Sequence, residues 1–268
     1  MKLLTYDPSW PESWKSSHFF DSLELPVSRF WHPYTAAYRQ RQEITFRLVS
    51  EAVPLGSTLL DVAAAQGNFS LCFAERGFNV VWNDLRSELE DYVRLKYEHG
   101  EINYNPGNIL EMGYSSAFDV ILITEVIEHV AHPDLFLAHI AEMVKPGGVI
   151  VMTTPNGAHL LNKLPKFSDC TDPSLFESVQ FMPDGDGHIF LLWPDEVHSI
   201  AARAGLIIER HEVFTTPWIN GRHRTSGLMK RVPISLIDSV ERISAKLPIS
   251  LKERLMIHSA TRFRRPPL

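Results

Sequence analysis

The stretch LLDVAAAQGNFSLCFAERGFNVVWND, residues 59–84, is the part of the sequence that best predicts the fold. It contains an apolar run, a turn of small residues, an apolar helix and a second apolar run that is closed by an acid. This layout is typical of a nucleotide-binding unit, in which the turn passes beneath a ligand at the carboxyl edge of a parallel sheet. Such turns usually contain several glycines, but here three alanines occupy positions 63–65 and Gly67 is the glycine that remains.

The alanines favour a cofactor without a pyrophosphate. In dinucleotide enzymes, glycines let backbone N–H groups approach the pyrophosphate closely. S-adenosylmethionine instead presents an ammonium, a carboxylate and a sulfonium, so Asp61 would attract the ammonium while the backbone from Ala63 to Gly67 supplies shape and N–H donors. Alanine serves wherever φ is negative, so we expect positive φ only at Gly67 and expect this glycine to resist replacement.

Two further polar positions follow strand ends, and each has two interpretations. Asp84 closes the second strand, where a carboxylate accepts hydrogen bonds from ribose hydroxyls or caps the next helix. Asn108 lies after the third strand, where it would bind the adenine amino group, with Ile109 packed on the ring, or simply form a turn.

From residue 58 onward, strand and helix patterns alternate, as in a parallel sheet with helices on both faces. We expect a Rossmann-like α/β domain over residues 58–268, with a helical insertion at about 216–253 before the last strand. Residues 1–57 form an aromatic-rich N-terminal extension, which is interpreted either as a lid over the active site or as a packed element. We favour a mixture, in which a helix packs and one or two side chains reach the pocket.

The ordered motifs resemble a known family. The Asp61 turn, Asp84, FDVI, EVIEHV and KPGG occur in the order and spacing of class I S-adenosylmethionine-dependent methyltransferases, over about residues 57–215. The resemblance implies a seven-stranded, mostly parallel sheet whose last strand is antiparallel. It also implies that residues 61–67 lie around the methionine part of the cofactor and that Asp84 binds the ribose. Asn108 and Ile109 would lie at the adenine, and Glu125 would lie near the methyl group.

The string EVIEHV raises the possibility of a divalent cation such as Mg²⁺. Glu125, Glu128 and His129 would share one face of a helix, a plausible oxygen-plus-imidazole ligand set, with His188 as a fourth candidate. The string is similar to that of ubiquinone-biosynthesis O-methyltransferases and small-RNA 2'-O-methyltransferases, where such residues hold a cation. The alternative is that His129 caps, packs or lines the pocket without a metal.

The expected reaction is methyl transfer to an oxygen of a small-molecule or glycan-like acceptor. His129 and His188 are the candidate catalytic proton acceptors, because a hydroxyl nucleophile must lose a proton. Three alternatives remain open: an RNA 2'-O-methyltransferase with a divalent cation, a nicotinamide-dependent oxidoreductase, and a non-catalytic cofactor-binding module.

Composition sets further bounds. Of the 268 residues, 44% are hydrophobic and 22% are charged, without an apolar run long enough to span a bilayer, so we expect a cytoplasmic protein. Two cysteines give no disulfide framework. From Arg222 onward, eleven basic residues face three acidic ones; we interpret this basic region as solvated surface rather than a nucleic-acid site, which stays possible.

Overall fold

The computed structural model describes residues 1–25, 33–180, 187–217, 234–244 and 246–267. Its strands form one seven-stranded sheet in the order β3-β2-β1-β4-β5-β7-β6. Their bounds are β1 Thr58–Val62, β2 Asn79–Trp82, β3 Glu101–Tyr104, β4 Phe118–Thr124, β5 Val144–Pro155, β6 Ile207–Phe214 and β7 His258–Arg264. The expected Rossmann-like sheet is therefore confirmed.

One strand runs against the others. β7 lies between β5 and β6 and pairs antiparallel with both, whereas the remaining pairs are parallel. The expectation of an antiparallel last strand is thus confirmed. Because of this direction, the first residue of β7, His258, pairs with Pro155 at the end of β5 and with Phe214 at the end of β6. His258 therefore lies at the edge where the parallel strands end.

Helices cover both faces of the sheet. Their bounds are α1 Glu12–Glu24, α2 Pro33–Ser50, α3 Asn68–Glu75, α4 Leu89–Lys96, α5 Pro133–Met143, α6 Pro194–Arg203, α7 Ile234–Ser244 and α8 Ile249–Leu255. Successive strand residues point to opposite faces, so Leu59 packs with α2 and α3 while Leu60 packs with α5 and α6. Two apolar layers therefore hold the sheet rigid beneath the site.

The expected insertion is helical where it is described. Along the chain, α7 and α8 follow β6 and precede β7. Residues 218–233 and 245 of this insertion lie outside the described residues. Over the described ranges, no helix has the length and apolar character needed to cross a membrane.

Candidate functional site

The turn after β1, residues 63–67, is called the cofactor loop below. Gly67 has φ +72°, as expected, but Ala63 and Ala65 also lie in the left-handed region, at +52° and +47°. The expectation that alanine occupies only negative-φ positions is therefore wrong. Ala65 is held there because its N–H donates to Asp84 Oδ2 at 2.8 Å and its carbonyl accepts from Trp82 Nε1 at 3.1 Å.

Gly67 is required for space as well as for backbone conformation. A Cβ built on this glycine would stand 2.6 Å from Cγ1 and 2.9 Å from Cγ2 of Val93, a fully buried residue of α4. Val93 is β-branched and stiff at χ1, so it has little freedom to move aside. The structure therefore supports the expectation that Gly67 resists replacement.

Asp61 is buried at the end of β1 with one oxygen left over. Its Oδ2 accepts a hydrogen bond from Ser70 Oγ at 2.5 Å, whereas its buried Oδ1 finds no partner in the part of the chain that the structure describes. Burial raises the pKa of Asp61 to about 7; the hydrogen bonds from Ser70 oppose this rise and the charge of Asp84 adds to it. A cationic group placed beside Oδ1 would satisfy this oxygen and favour the ionised form.

Asp84 joins the cofactor loop to the end of β2. Its Oδ2 accepts from Ala65 N, and its Oδ1 accepts from Arg86 N at 2.9 Å and from Arg86 Nε at 3.0 Å. α4 begins at Leu89, so Asp84 does not cap it. The Arg86 side chain is half exposed, so another hydrogen-bond donor could replace its guanidinium at Asp84. The ribose contact of Asp84 stays a prediction.

Asn108 forms a turn. Its side-chain oxygen accepts from Leu110 N at 3.2 Å, and it caps a short 3-10 helix at Ile109–Glu111. Its amide also donates to Glu111 Oε1 at 2.6 Å, while Ile109 is buried in the core. The turn interpretation therefore holds for this structure, and the adenine contact stays a prediction.

Glu125 follows β4 in the left-handed conformation, with φ +56°. Its Oε2 lies 3.1 Å from Arg41 Nη1 of α2 and 3.9 Å from His258 Nε2. Burial opposes ionisation of Glu125, but the nearby Arg41 and His258 outweigh it and hold the pKa of this carboxyl below its usual value. Glu125 is therefore an ionised carboxylate at neutral pH.

Glu128 and two histidines form a separate group. A 3-10 turn spans Ile127–His129. The expectation that Glu125, Glu128 and His129 share one face of a helix is therefore wrong. Instead Glu128, His129 and His188 each offer a ligand atom within 4.8 Å of the others. The two imidazole rings meet edge-on, with centroids 4.9 Å apart.

Glu128 itself is fully buried. Its Oε2 accepts from Thr154 Oγ1 at 2.9 Å, and its buried Oε1 has no hydrogen-bond partner among the described residues. Burial, reinforced by the negative charge of Glu125, raises the pKa of Glu128 well above its usual value. The pKa values of the two acids of EVIEHV thus shift in opposite directions: that of Glu125 falls and that of Glu128 rises.

A cavity of about 440 Å³ adjoins this group. His188 lines it, together with residues from the end of β5 and the segment after it, from the segment that leads into α6, and from the position before β7: Pro155, Asn156, His159, Leu161, Asn162, Lys163, Leu164, Gly187, Leu191 and Ile257. A hydroxyl group bound there would lie beside the imidazole of His188.

Sequence reasoning missed several charged residues of this region. Arg41 contacts Glu125 from the N-terminal α2, and His258 arrives from the antiparallel β7. Lys96, at the end of α4, is fully buried against Asp21 of α1. A lysine in the last turn of a helix ordinarily interacts with solvent or the helix dipole, so no local pattern marks it as buried.

Comparisons with known proteins bear on the family and the fold of this chain. A family model described as "Methyltransferase domain" matches residues 36–211. A curated ubiquinone biosynthesis O-methyltransferase of Cereibacter sphaeroides (strain ATCC 17025) is 31% identical over 156 residues, which is 56% of this chain and 60% of that relative. The alignment therefore spans less than two thirds of the relative's length.

Solved structures share the fold. An S-adenosylmethionine dependent methyltransferase from Mesorhizobium loti superposes with a TM-score of 0.56 at 15% identity, covering 83% of this chain and 96% of that one. The [4+2]-cyclase SpnF superposes with a TM-score of 0.57 at 14% identity, covering 99% of this chain and 100% of that one. Since a cyclase has the same fold, the fold alone does not determine the reaction.

Proposed function

Because this chain belongs to the methyltransferase-domain family, within the class I S-adenosylmethionine-dependent methyltransferases, we propose that it methylates an oxygen of a small-molecule acceptor. The family match leaves the nicotinamide-dependent alternative without support. The observation that carries the choice of an oxygen acceptor is the His129–His188 pair beside the 440 Å³ cavity.

The described residues fit the cofactor. Among the described residues the buried Asp61 Oδ1 has no hydrogen-bond partner, which suits the methionine ammonium. Gly67 lets the cofactor loop pack against Val93 of α4 in its left-handed conformation. The ionised Glu125 supplies negative charge for the sulfonium cation. Asp84 would bind the ribose hydroxyls once the Arg86 guanidinium yields its place. When bound, S-adenosylmethionine supplies an electrophilic methyl group for in-line displacement.

The acceptor side requires orientation and removal of one proton. His188 lines the cavity, so its imidazole would take the proton of the acceptor hydroxyl, and His129 would orient that ring through their contact. The raised pKa of Glu128, beside these histidines, disfavours a second negative charge close to Glu125.

A cation at this site would be held by Glu128, His129 and His188, rather than by the expected set that included Glu125. One carboxylate with two imidazoles suits Mn²⁺, Fe²⁺ or Zn²⁺ better than Mg²⁺, which prefers oxygen ligands. Glu128 would have to release its proton on binding, so affinity for such a cation would rise with pH. Calorimetric titration with Zn²⁺ at several pH values, repeated on Glu128→Gln, tests this part of the proposal.

The function is tested by transfer of a labelled methyl group from S-adenosylmethionine to a panel of phenols, catechols, amines, thiols and a short RNA. We expect transfer to a hydroxyl oxygen of a small molecule, with activity reduced by His188→Ala and His129→Ala. His139→Ala, at an exposed position of α5, is the matched control. Transfer to RNA or to nitrogen alone would contradict the acceptor class, and cofactor binding without transfer would indicate a non-catalytic module.

A further inference from the structure

A buried polar cluster connects α1 to both neighbours of Gly67. Lys96 Nζ lies 2.8 Å from each carboxylate oxygen of Asp21, 2.9 Å from the carbonyl oxygen of Gln66 and 2.6 Å from Asn68 Oδ1. Four acceptors surround three N–H donors, so the ammonium is fully hydrogen-bonded. The cofactor loop is therefore held by a cation whose counter-charge belongs to the N-terminal helix.

A second acid of α1 accepts hydrogen bonds from the side chains of the two residues that flank Gly67. Glu24 Oε2 accepts from Gln66 Nε2 and from Asn68 Nδ2, each at 2.8 Å. Gln66 and Asn68 are thus each bonded both to Lys96 and to an acid of α1, on either side of Gly67. This arrangement fixes the backbone where a cofactor would have to approach it.

The cluster is not needed simply to dock α1. Trp10 and Trp14 already pack edge-on against Tyr92 of α4, with ring centroids 5.9 and 5.7 Å away. Burial lowers the pKa of Lys96, and the charge of Asp21 opposes that shift, so the pair carries a desolvation penalty. Buried ion pairs are frequently replaceable by neutral groups without loss of stability. Beyond such packing, the Lys96 ammonium donates to the Gln66 carbonyl of the cofactor loop and to Asn68 Oδ1.

We propose that Lys96 and Asp21 are positioning residues that hold the cofactor loop in its binding conformation, so that α1 sets the affinity for S-adenosylmethionine. The proposal rests on the proposed function, because it assumes that this loop binds that cofactor. Lys96 acts through the Gln66 carbonyl and does not itself touch the cofactor.

The test compares binding of S-adenosylhomocysteine by calorimetry in four proteins. These are the wild type, Lys96→Met/Asp21→Asn, Asp21→Asn and the control Lys145→Met. The double variant removes both charges, leaving neutral groups of similar size. The control breaks a Lys145–Asp119 pair of 2.9 Å at the amino edge of the sheet, away from the loop.

The double variant should bind about tenfold more weakly, the effect of losing one charge-assisted hydrogen bond on the loop. Its urea unfolding curve should show a folded protein under the assay conditions, and its kcat at saturating cofactor should change less than its KM for the cofactor. Asp21→Asn, which keeps the lysine, should weaken binding by a smaller factor, about threefold. Lys145→Met should bind like the wild type.

Wild-type affinity in the folded double variant would overturn the inference and leave the proposed function standing. Equal weakening by Lys145→Met would overturn it as well, since the effect would then be general. If the double variant does not fold, unchanged affinity in Asp21→Asn has the same meaning. Failure of the wild type to bind S-adenosylhomocysteine would overturn both the inference and the proposed function.

Discussion

Replacing Gly67 by alanine separates two reasons for a glycine in the cofactor loop. An L residue in the left-handed region costs about 1–2 kcal/mol, and Gly67 has φ +72°. Forcing a Cβ against the Cγ atoms of Val93, at 2.6 and 2.9 Å, adds an overpacking cost of about 1–3 kcal/mol. Gly67→Ala should therefore lower the free energy of unfolding by about 2–5 kcal/mol.

The matched control is Gly205→Ala. Gly205 has nearly the same φ, +68°, but a Cβ there would have no heavy atom within 4 Å. It should lose only the backbone part, about 1–2 kcal/mol. Urea unfolding gives both values, and the difference measures the contact with Val93. A double-mutant cycle with Val93→Ala should show a favourable coupling of similar size, because the shortened side chain makes room.

Equal losses at Gly67 and Gly205, together with additive behaviour in the cycle, would refute the packing argument. Cofactor affinity supplies an independent check, because a displaced loop should bind S-adenosylhomocysteine less well. The larger substitution Gly67→Val should have the stronger effect. Normal affinity in that variant would contradict the placement of the cofactor against this loop.

Three other predictions test local features of the site. Ala65→Gly should raise the free energy of unfolding by about 0.5–1 kcal/mol in urea, because it relieves a positive φ, whereas Ala64→Gly should lower it by a similar amount. Asp61 binds a proton in the folded chain between about pH 4 and pH 7 that the unfolded chain has lost, so stability falls as pH rises there, by up to about 1.4 kcal/mol per pH unit from this group. Asp61→Asn should remove that contribution from pH-dependent unfolding curves, and a slope identical to that of the wild type would contradict the raised pKa. Arg41→Met should cost about 3 kcal/mol by leaving the Glu125 carboxylate without its cation, and Arg41→Met/Glu125→Gln should recover most of the loss; urea unfolding of both decides it.

Local sequence patterns are sufficient to predict the sheet and the family of this protein. Alternating apolar runs and helical patterns are local signals, so the strands were placed within a few residues and the order of motifs identified the methyltransferase class. Asp61, Asp84 and Glu125 were recognisable because polar residues at the ends of parallel strands meet at one edge. These conclusions depend on spacing along the chain, which is visible without a structure.

The ionisation and the charge partners of these residues depend on the tertiary structure and could not be predicted from local patterns. Arg41, which holds Glu125 ionised, comes from the N-terminal helix, and His258 reaches the site only because β7 runs antiparallel. Lys96 and Asp21 lie 75 positions apart, and nothing near either residue announces the pair. Charge partners across such distances are selected by how the elements pack, and burial then sets each pKa. Local periodicity carries no information about either.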